Sequence, residues 1–338
     1  MQMIPQESIG HTNMNFFNID LHISVIEDIS RIFRHLNHNV DSKNMSGHGF
    51  IFNKKQDVVK HLTPSNWTTL NKSMCDAFYN EYKTELAHYD GFICTYPPSF
   101  SLLYEKFNKP IIIQAPIRFE VPFQNDPDRL KWFIDYLKQG IDNKQIIPVA
   151  NSLYEKEYCE HFTDREWHFI PNICDYTNID CQGGENYLLY SKVNISANHP
   201  NILNKPASYN WSIFNNLRGI IHFPYNISTM SIFEQYTGNV PLIFPTPEFC
   251  IELYKQNLAL SELSWTSNKL DSMEWVKKAD FYNQEWMPHI TYFSSRDNLR
   301  EIVDSIEHKS IIYNMKEFNM LRKERIYKLW DEILMGVI

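Results

Sequence analysis

An α/β protein built on two parallel, doubly wound sheets is what this sequence predicts, and three observations lead there. Short apolar runs bounded by polar residues or proline alternate with segments whose apolar residues recur at helical spacing. The 338 residues exceed what one typical core supports, so two domains are expected, and a hydrophobic content of 43% is enough to fill both. Between Ile220 and Pro245, IIHFPYNISTMSIFEQYTGNVPLIFP sets a strand, a Ser/Thr-rich turn, a helix and a second strand in direct succession.

Taken in order, NFFNID (15–20) reads as a first strand. It runs into VIEDISRIFRHL (25–36), where Ile26, Ile29, Phe33 and Leu36 fall at helical spacing. The second strand is the weakest; FIFN (50–53) is the best candidate, with the turn SGHG just before it. Helical CDAFYNEYKTELAHY (75–89) leads to strand GFICTY (91–96), and helical SFSLLYEKF (99–107) leads to strand PIIIQAPI (110–117). Strand QIIPVAN (145–151), helix LYEKEYCEHF (153–162) and HFIPNI (168–173) close the first half. CQGGEN (181–186) is the expected hinge, because paired glycines permit large backbone rotations.

The second half opens at YLLYSKVN (187–194), passes through the 220–245 block and PEFCIELYKQNLAL (247–260), and reaches helical WVKKADFY (275–282). MKEFNMLRKERIYKLWDEIL (315–334) is an amphipathic helix. The division expected is residues 1–181, residues 185–315, and a closing helix, 316–338. No repeat or low-complexity tract interrupts it.

A net charge of −8 argues against an extended nucleic-acid footprint, which needs clustered Lys and Arg. The six cysteines form no CxxC pair, so neither a zinc site nor a disulfide framework is indicated. The N-terminus MQMIPQESIGHTN lacks a basic patch followed by an apolar run, and no stretch approaches 18 uninterrupted apolar residues, so a cytoplasmic setting is expected. Asn-x-Ser/Thr triplets include those at Asn66, Asn210 and Asn226. None of the ten glycines builds G-x-G-x-x-G or G-x-x-x-x-G-K-[ST], which speaks against dinucleotide oxidoreductases and P-loop enzymes.

In the 220–245 block, Pro224 ends the strand and Asn226 to Ser231 open a helix whose first amides are unpaired. Free amides and the positive end of a helix dipole attract phosphate. Ser228 and Thr229 add hydroxyls there, and Glu234, one to two turns further in, is placed to reach a ribose hydroxyl. Taken by itself, the same spacing also fits an ordinary βαβ unit with a capped helix.

FEQYTGNVPLIFP resembles the "LEAMACGxPVV" block in the C-terminal domain of nucleotide-sugar glycosyltransferases of the GT-B fold, with Glu234 where that block carries its ribose-binding glutamate. VANSLYEKEYCEHFTDREWHFIPNICDYT (149–177) resembles the "xxNS…ViPNGVD" stretch that closes their N-terminal domain. YLLYSKVN is similar to their "llyvGR" strand and sets Lys192 in the place of a basic residue on the donor diphosphate. Over nearly its full length the chain also resembles an uncharacterised group of glycosyltransferase-like proteins of algae and large DNA viruses, through DLHISVIEDI, SGH, YDGFICTYPPSFSLLYEKFNKPIII, IRFEVPF, PYNISTMSIFE and ADFYNQEWMPHITYF. The resemblance implies two Rossmann-like domains facing each other across a cleft. It also implies a closing helix that packs back on the first domain, and transfer of a sugar from a nucleotide diphosphate to a glycan or other hydroxyl acceptor. No cofactor and no metal are implied beyond the donor substrate.

Open α/β sheets bind ligands beyond the carboxyl ends of their strands. That rule selects Asp20 and His22, Thr95 and Tyr96, Arg118 and Glu120, and Lys192 and Asn194. Lys192, Ser228 and Thr229 are the candidates to stabilise charge on a leaving diphosphate. Asn226, Glu234 and these three form the expected nucleotide-sugar site; Thr95, Tyr96 and Arg118 form the acceptor side. A base for an acceptor hydroxyl is sought among His48, His22 and Glu120, with His48 first because its SGHG turn allows the imidazole freedom at a cleft edge. Retaining relatives carry a carboxylate eight positions before the ribose glutamate, where this chain has Asn226, which leaves the stereochemistry open. A nucleotide-sugar epimerase and a catalytically silent nucleotide- or glycan-binding scaffold are the alternatives.

Overall fold

The computed structural model of the protein describes residues 13–195, 199–262 and 276–337. The N-terminal dozen residues and Trp275, with which the expected WVKKADFY helix begins, lie outside them. Two all-parallel sheets form the frame. The first has six strands in the order β2-β1-β3-β4-β5-β6. These are β1 (Asn15–Asp20), β2 (Asn39–Asn44), β3 (Gly91–Cys94), β4 (Ile111–Ala115), β5 (Ile146–Ala150) and β6 (His168–Phe169). The second has five, in the order β11-β10-β9-β7-β8. Its strands are β7 (Tyr187–Tyr190), β8 (Ile202–Asn204), β9 (Gly219–His222), β10 (Leu242–Pro245) and β11 (Thr291–Phe293). GFIC, IIIQA, GIIH and LIFP are buried at every position, as strands covered by helices on both faces must be.

Helices flank these sheets. The first is α1 (Ile23–His35), which buries Ile26, Ile29, Ile32 and Phe33 and ends on Arg34 and His35, cations suited to a helix C-terminus. It is followed by α2 (Lys72–Tyr82), α3 (Pro127–Asp142) and α4 (Leu153–Thr163), and in the second half by α5 (Met230–Thr237), α6 (Pro247–Lys255), α7 (Arg296–Ser305) and α8 (His308–Met335).

Several features differ from the sequence expectation, and strands β8 and β11 and helix α7 have no counterpart in it. The second strand is NVDSKN, not FIFN: Phe50 to Phe52 lie in a 3-10 turn, and β2 pairs along the outside of β1. An edge strand of this kind needs little apolar content, and only Val40 among its six residues is hydrophobic. SFSLLYEKF forms two 3-10 turns instead of one α-helix. Helix α3 has no counterpart in the expectation, although its start carries a recognisable signature: Asp126 accepts from the Arg129 N–H, and Pro127 occupies the first helical position.

The two halves are joined twice. Residues 172–186 cross from the first sheet to the second, with Gly183 at φ +83° and Gly184 so close to Asn216 that a Cβ would meet its carbonyl oxygen at 2.0 Å. Helix α8 then returns. Its early residues Ile312 and Met315 join the larger core, and Ile326, Trp330 and Leu334 join the cluster around Phe16, Ile29 and Phe33 on the first sheet. Trp330 meets Phe33 edge-on at 5.4 Å. At the crossing, Asn319 donates to the Tyr236 carbonyl at 2.8 Å, and the buried Arg322 donates to the Asn172 carbonyl and to Thr237 Oγ1. All six cysteines are buried and unbridged. No helix among the described residues is long and apolar enough to cross a membrane.

Candidate functional site

Each sheet has one point where its strand order reverses, between β1 and β3 in the first and between β7 and β9 in the second. The carboxyl ends of strands at such points leave a crevice open to ligands. In this protein the two crevices face one another. A cavity of about 440 Å³ lies between them, lined from the first half by His22, Ser24, Tyr96, Pro116, Ile117 and Asn151. From the second half come Tyr190, Lys192, Tyr225, Asn226, Ser228, Thr229, Ser231, Glu234 and Glu262.

The first-half wall is set by Asp20. Its buried carboxylate accepts from the backbone N–H groups of His22 and Tyr96, the latter at 3.1 Å, and so ties the segment after β1 to the segment after β3. Burial outweighs those hydrogen bonds and raises the Asp20 pKa to about 8. His22 is exposed at the cavity wall, its ring edge-on to Tyr96 at 6.1 Å. Desolvation by the surrounding protein, with a smaller push from the His48 imidazole, lowers its pKa. A hydrogen bond to its own backbone opposes the shift, and the lowered pKa favours the uncharged imidazole, the form that can take a proton.

The second-half wall is the turn between β9 and α5. Thr229 is the N-cap residue of α5, and its side chain makes no capping hydrogen bond, so the first-turn amides keep their capacity for an anion. Its Oγ1 instead lies 3.2 Å from Ser231 Oγ. Lys192 pairs with Glu262 and stands over the Tyr225 ring at 3.7 Å. The two pair members are both about half exposed, so the lysine is held in place yet remains available to a competing anion. Glu234 is buried; Tyr176 donates to its Oε1 at 2.7 Å. Burial raises the Glu234 pKa, while hydrogen bonds from Tyr176 and Trp211 pull it back and the Asp28 charge adds to the rise.

Asn226 joins the two walls. Its Oδ1 accepts from Arg118 Nη1 at 3.1 Å and from the Ile227 N–H at 2.8 Å. Both partners can only donate, so the orientation of the amide is fixed and its NH₂ is left as the donor. Beneath it Arg118, 1% exposed, pairs with the fully buried Glu155 at 3.4 Å. Burial raises Glu155 to about 7, against the favourable Arg118 charge and with the nearby Glu120 adding to the rise. Buried Asp280 behaves similarly: burial drives its pKa well up, the nearby Ser228 hydroxyl opposes this, and Glu155 adds to it.

The expected site residues therefore separate into two groups. Lys192, Asn226, Ser228, Thr229, Glu234, His22 and Tyr96 line one cavity. Thr95, Arg118, Glu120 and His48 do not. Thr95 is fully buried one residue short of the cavity wall. Arg118 and Glu120 point inward, Glu120 accepting from the Tyr158 hydroxyl at 2.6 Å, because the chain after β4 turns its charged side chains into a buried polar cluster. His48 is exposed outside the cavity beside Phe50, which places His22 ahead of it at the cleft. Sequence reasoning missed Tyr176, Trp211, Tyr225 and Glu262. Nothing in their spacing signals the contacts they make with Glu234 and Lys192.

This double arrangement, two Rossmann-like parallel sheets with opposed crevices and a returning C-terminal helix, is the GT-B fold. No family model and no curated protein matches the chain. Among solved structures it is similar to Anabaena Alr3699/HepE in complex with UDP-glucose, at 10% identity over 96% of this chain and 100% of that one, with a TM-score of 0.54. The same protein in complex with UDP and glucose aligns at 9% identity, also with a TM-score of 0.54. The glycosyltransferase SnogD from Streptomyces nogalater aligns at 9% identity over 95% of this chain and 99% of that one, with a TM-score of 0.50. At these identities the likeness defines the fold.

Proposed function

We propose that the protein is a glycosyltransferase that moves a sugar from a nucleotide-diphosphate sugar to a glycan or other hydroxyl acceptor. The observation that carries this reading is the single cavity in which an uncapped helix N-terminus, two hydroxyls, a lysine and a buried glutamate face a histidine and a tyrosine from the opposite sheet. A donor diphosphate fits against the α5 N-terminus, Ser228, Thr229 and Lys192, with its ribose at Glu234. The UDP-glucose bound by the structural neighbour HepE supports a ligand of this class.

In the reaction the acceptor oxygen attacks the anomeric carbon and its proton passes to a ring nitrogen of His22. The bond from that carbon to the phosphate oxygen breaks, and its electron pair leaves with the diphosphate. Charge growing on that oxygen is met by Lys192, the hydroxyls and the amides. The Asn226 NH₂ supplies a further donor where relatives with a carboxylate would supply an acceptor. His22, which lines the cavity, suits an inverting course better than His48, which lies outside it, or the engaged Glu120. Metal-independent transfer is part of the proposal. A cytoplasmic location, no role for nucleic acid and kinship with the algal and viral glycosyltransferase-like group complete it. Incubating the protein with UDP-, GDP- and CDP-sugars and a panel of glycan acceptors tests the reading: a glycosylated product with stoichiometric nucleoside diphosphate supports it, and conversion of the donor only to its sugar epimer, with no acceptor glycosylated, refutes it.

A further inference from the structure

The crossing segment that joins the two halves carries a group aimed at the nucleotide site. Residues Asp175–Thr177 form a 3-10 turn flanked by two non-glycine residues in the left-handed region, Cys174 at φ 61° and Asn178 at φ 55°. The turn is pinned to the first half, where Asp28 accepts from the Asn172 side chain at 2.8 Å and from the Ile173 and Cys174 N–H groups at 3.1 and 2.6 Å. It is pinned to the second half by the Thr237 hydroxyl, which donates to the Ile173 carbonyl. From this braced turn Tyr176, 2% exposed, extends its hydroxyl to Glu234 Oε1 at 2.7 Å. Its ring is wedged between Phe52 of the first half at 5.1 Å and Trp211 of the second at 5.7 Å. Trp211, packed on the Tyr176 ring, also favours the charged form of Glu234.

A buried glutamate on a helix has three side-chain torsions, and a ribose diol is read well only by a carboxylate held in one plane. We propose that Tyr176, assisted by Trp211, is a positioning residue that orients the Glu234 carboxylate for the ribose hydroxyls of a bound nucleotide. The proposal rests on the reading of Glu234 as the ribose contact. It adds that this contact is set by the segment linking the domains, outside the strand–turn–helix block that bears the glutamate.

The experiment is calorimetric titration of UDP, ADP, GDP and CDP, each alongside its 2′,3′-dideoxy form, into the parent, Tyr176→Phe, Trp211→Phe, Glu234→Ala and the Tyr176→Phe/Glu234→Ala double variant. Loss of one hydrogen bond to the carboxylate is expected to weaken the best ribonucleotide about three- to tenfold in Tyr176→Phe. Its dideoxy form should bind with unchanged affinity, and Tyr176→Phe should have no further effect once Glu234 is alanine. Trp211→Phe should shift the same ratio in the same direction, and it stands in should Tyr176→Phe not fold. The proposal is overturned if both aromatic variants leave the ribo-to-dideoxy ratio at the parent value while Glu234→Ala abolishes it, or if they weaken both nucleotide forms equally. A parent protein that binds ribo and dideoxy forms alike, or binds neither, overturns the ribose reading itself, and the positioning role falls with it.

Discussion

Replacing Lys192 by alanine separates the diphosphate from the rest of the ligand. In the free protein the Lys192 ammonium pairs with Glu262 and rests on the Tyr225 ring. A phosphate oxygen must therefore win the lysine from a carboxylate. A charge-assisted hydrogen bond to phosphate is worth about 1.5 to 3 kcal/mol. The half-exposed pair with Glu262 offsets about 0.2 to 1 kcal/mol of that. The difference, roughly 0.5 to 3 kcal/mol, centres near a tenfold increase in Kd for a nucleoside diphosphate. Glu262→Gln removes the competitor and should tighten the same ligand, by about two- to fivefold. Titration calorimetry with UDP, GDP or CDP and with the matching nucleosides reads both effects, since the nucleosides should respond to neither change. Equal loss for nucleoside and diphosphate in Lys192→Ala, or weaker diphosphate binding in Glu262→Gln, would refute this reasoning.

Three further outcomes follow from the same geometry. His22→Ala should cut turnover by about 10² to 10⁴-fold with donor affinity nearly unchanged, whereas His48→Ala, outside the cavity, should retain turnover; full activity in His22→Ala in a steady-state assay would remove it as the base. Arg118→Ala leaves Glu155 buried without its cation, and urea unfolding should show a loss of about 3 kcal/mol, the low end for a broken buried pair because Glu155 can take up a proton. Asp20 is held near pKa 8 in the folded protein against the ordinary 3.8 of an aspartate, so the folded state keeps a proton that the unfolded chain releases. Asp20 therefore makes stability fall as pH rises across that interval, by about 1.4 kcal/mol per pH unit at most. Asp20→Asn should flatten the decline in parallel urea titrations, and identical slopes in variant and parent would contradict the assignment.

Much of this architecture was legible in the residues because buried parallel strands announce themselves. GFIC, IIIQA, IIPVA and LIFP are apolar runs closed by Pro, Thr or Asn, and each is a strand within a residue or two of its expected bounds. The polar edge strand NVDSKN carries no such mark, since its position is decided by pairing with β1 and not by its own burial. The grouping of five cavity residues was legible for a related reason: Lys192, Asn226, Ser228 and Thr229 follow strand ends or cap α5, and Glu234 lies in its second turn, where topology brings them together. Side-chain direction was not legible. Arg118 follows β4 by three residues and Tyr96 follows β3 by two, yet one is drawn inward by Glu155 and Asn226 while the other faces the cavity. Tyr176 and Glu262 reach the site from distant segments, and no local pattern records such contacts.

The central claim is that one nucleotide site lies between the two opposed crevices. A crystal structure of the protein with the nucleoside diphosphate that stabilises it most in a thermal-shift panel tests this most directly; at 100 times its Kd such a ligand adds about 2.7 kcal/mol. The account predicts phosphate density against the α5 N-terminus, Ser228, Thr229 and Lys192, and ribose density at Glu234. Nucleotide bound anywhere else on the molecule, or no stabilisation by any nucleoside diphosphate or its sugars, would contradict it.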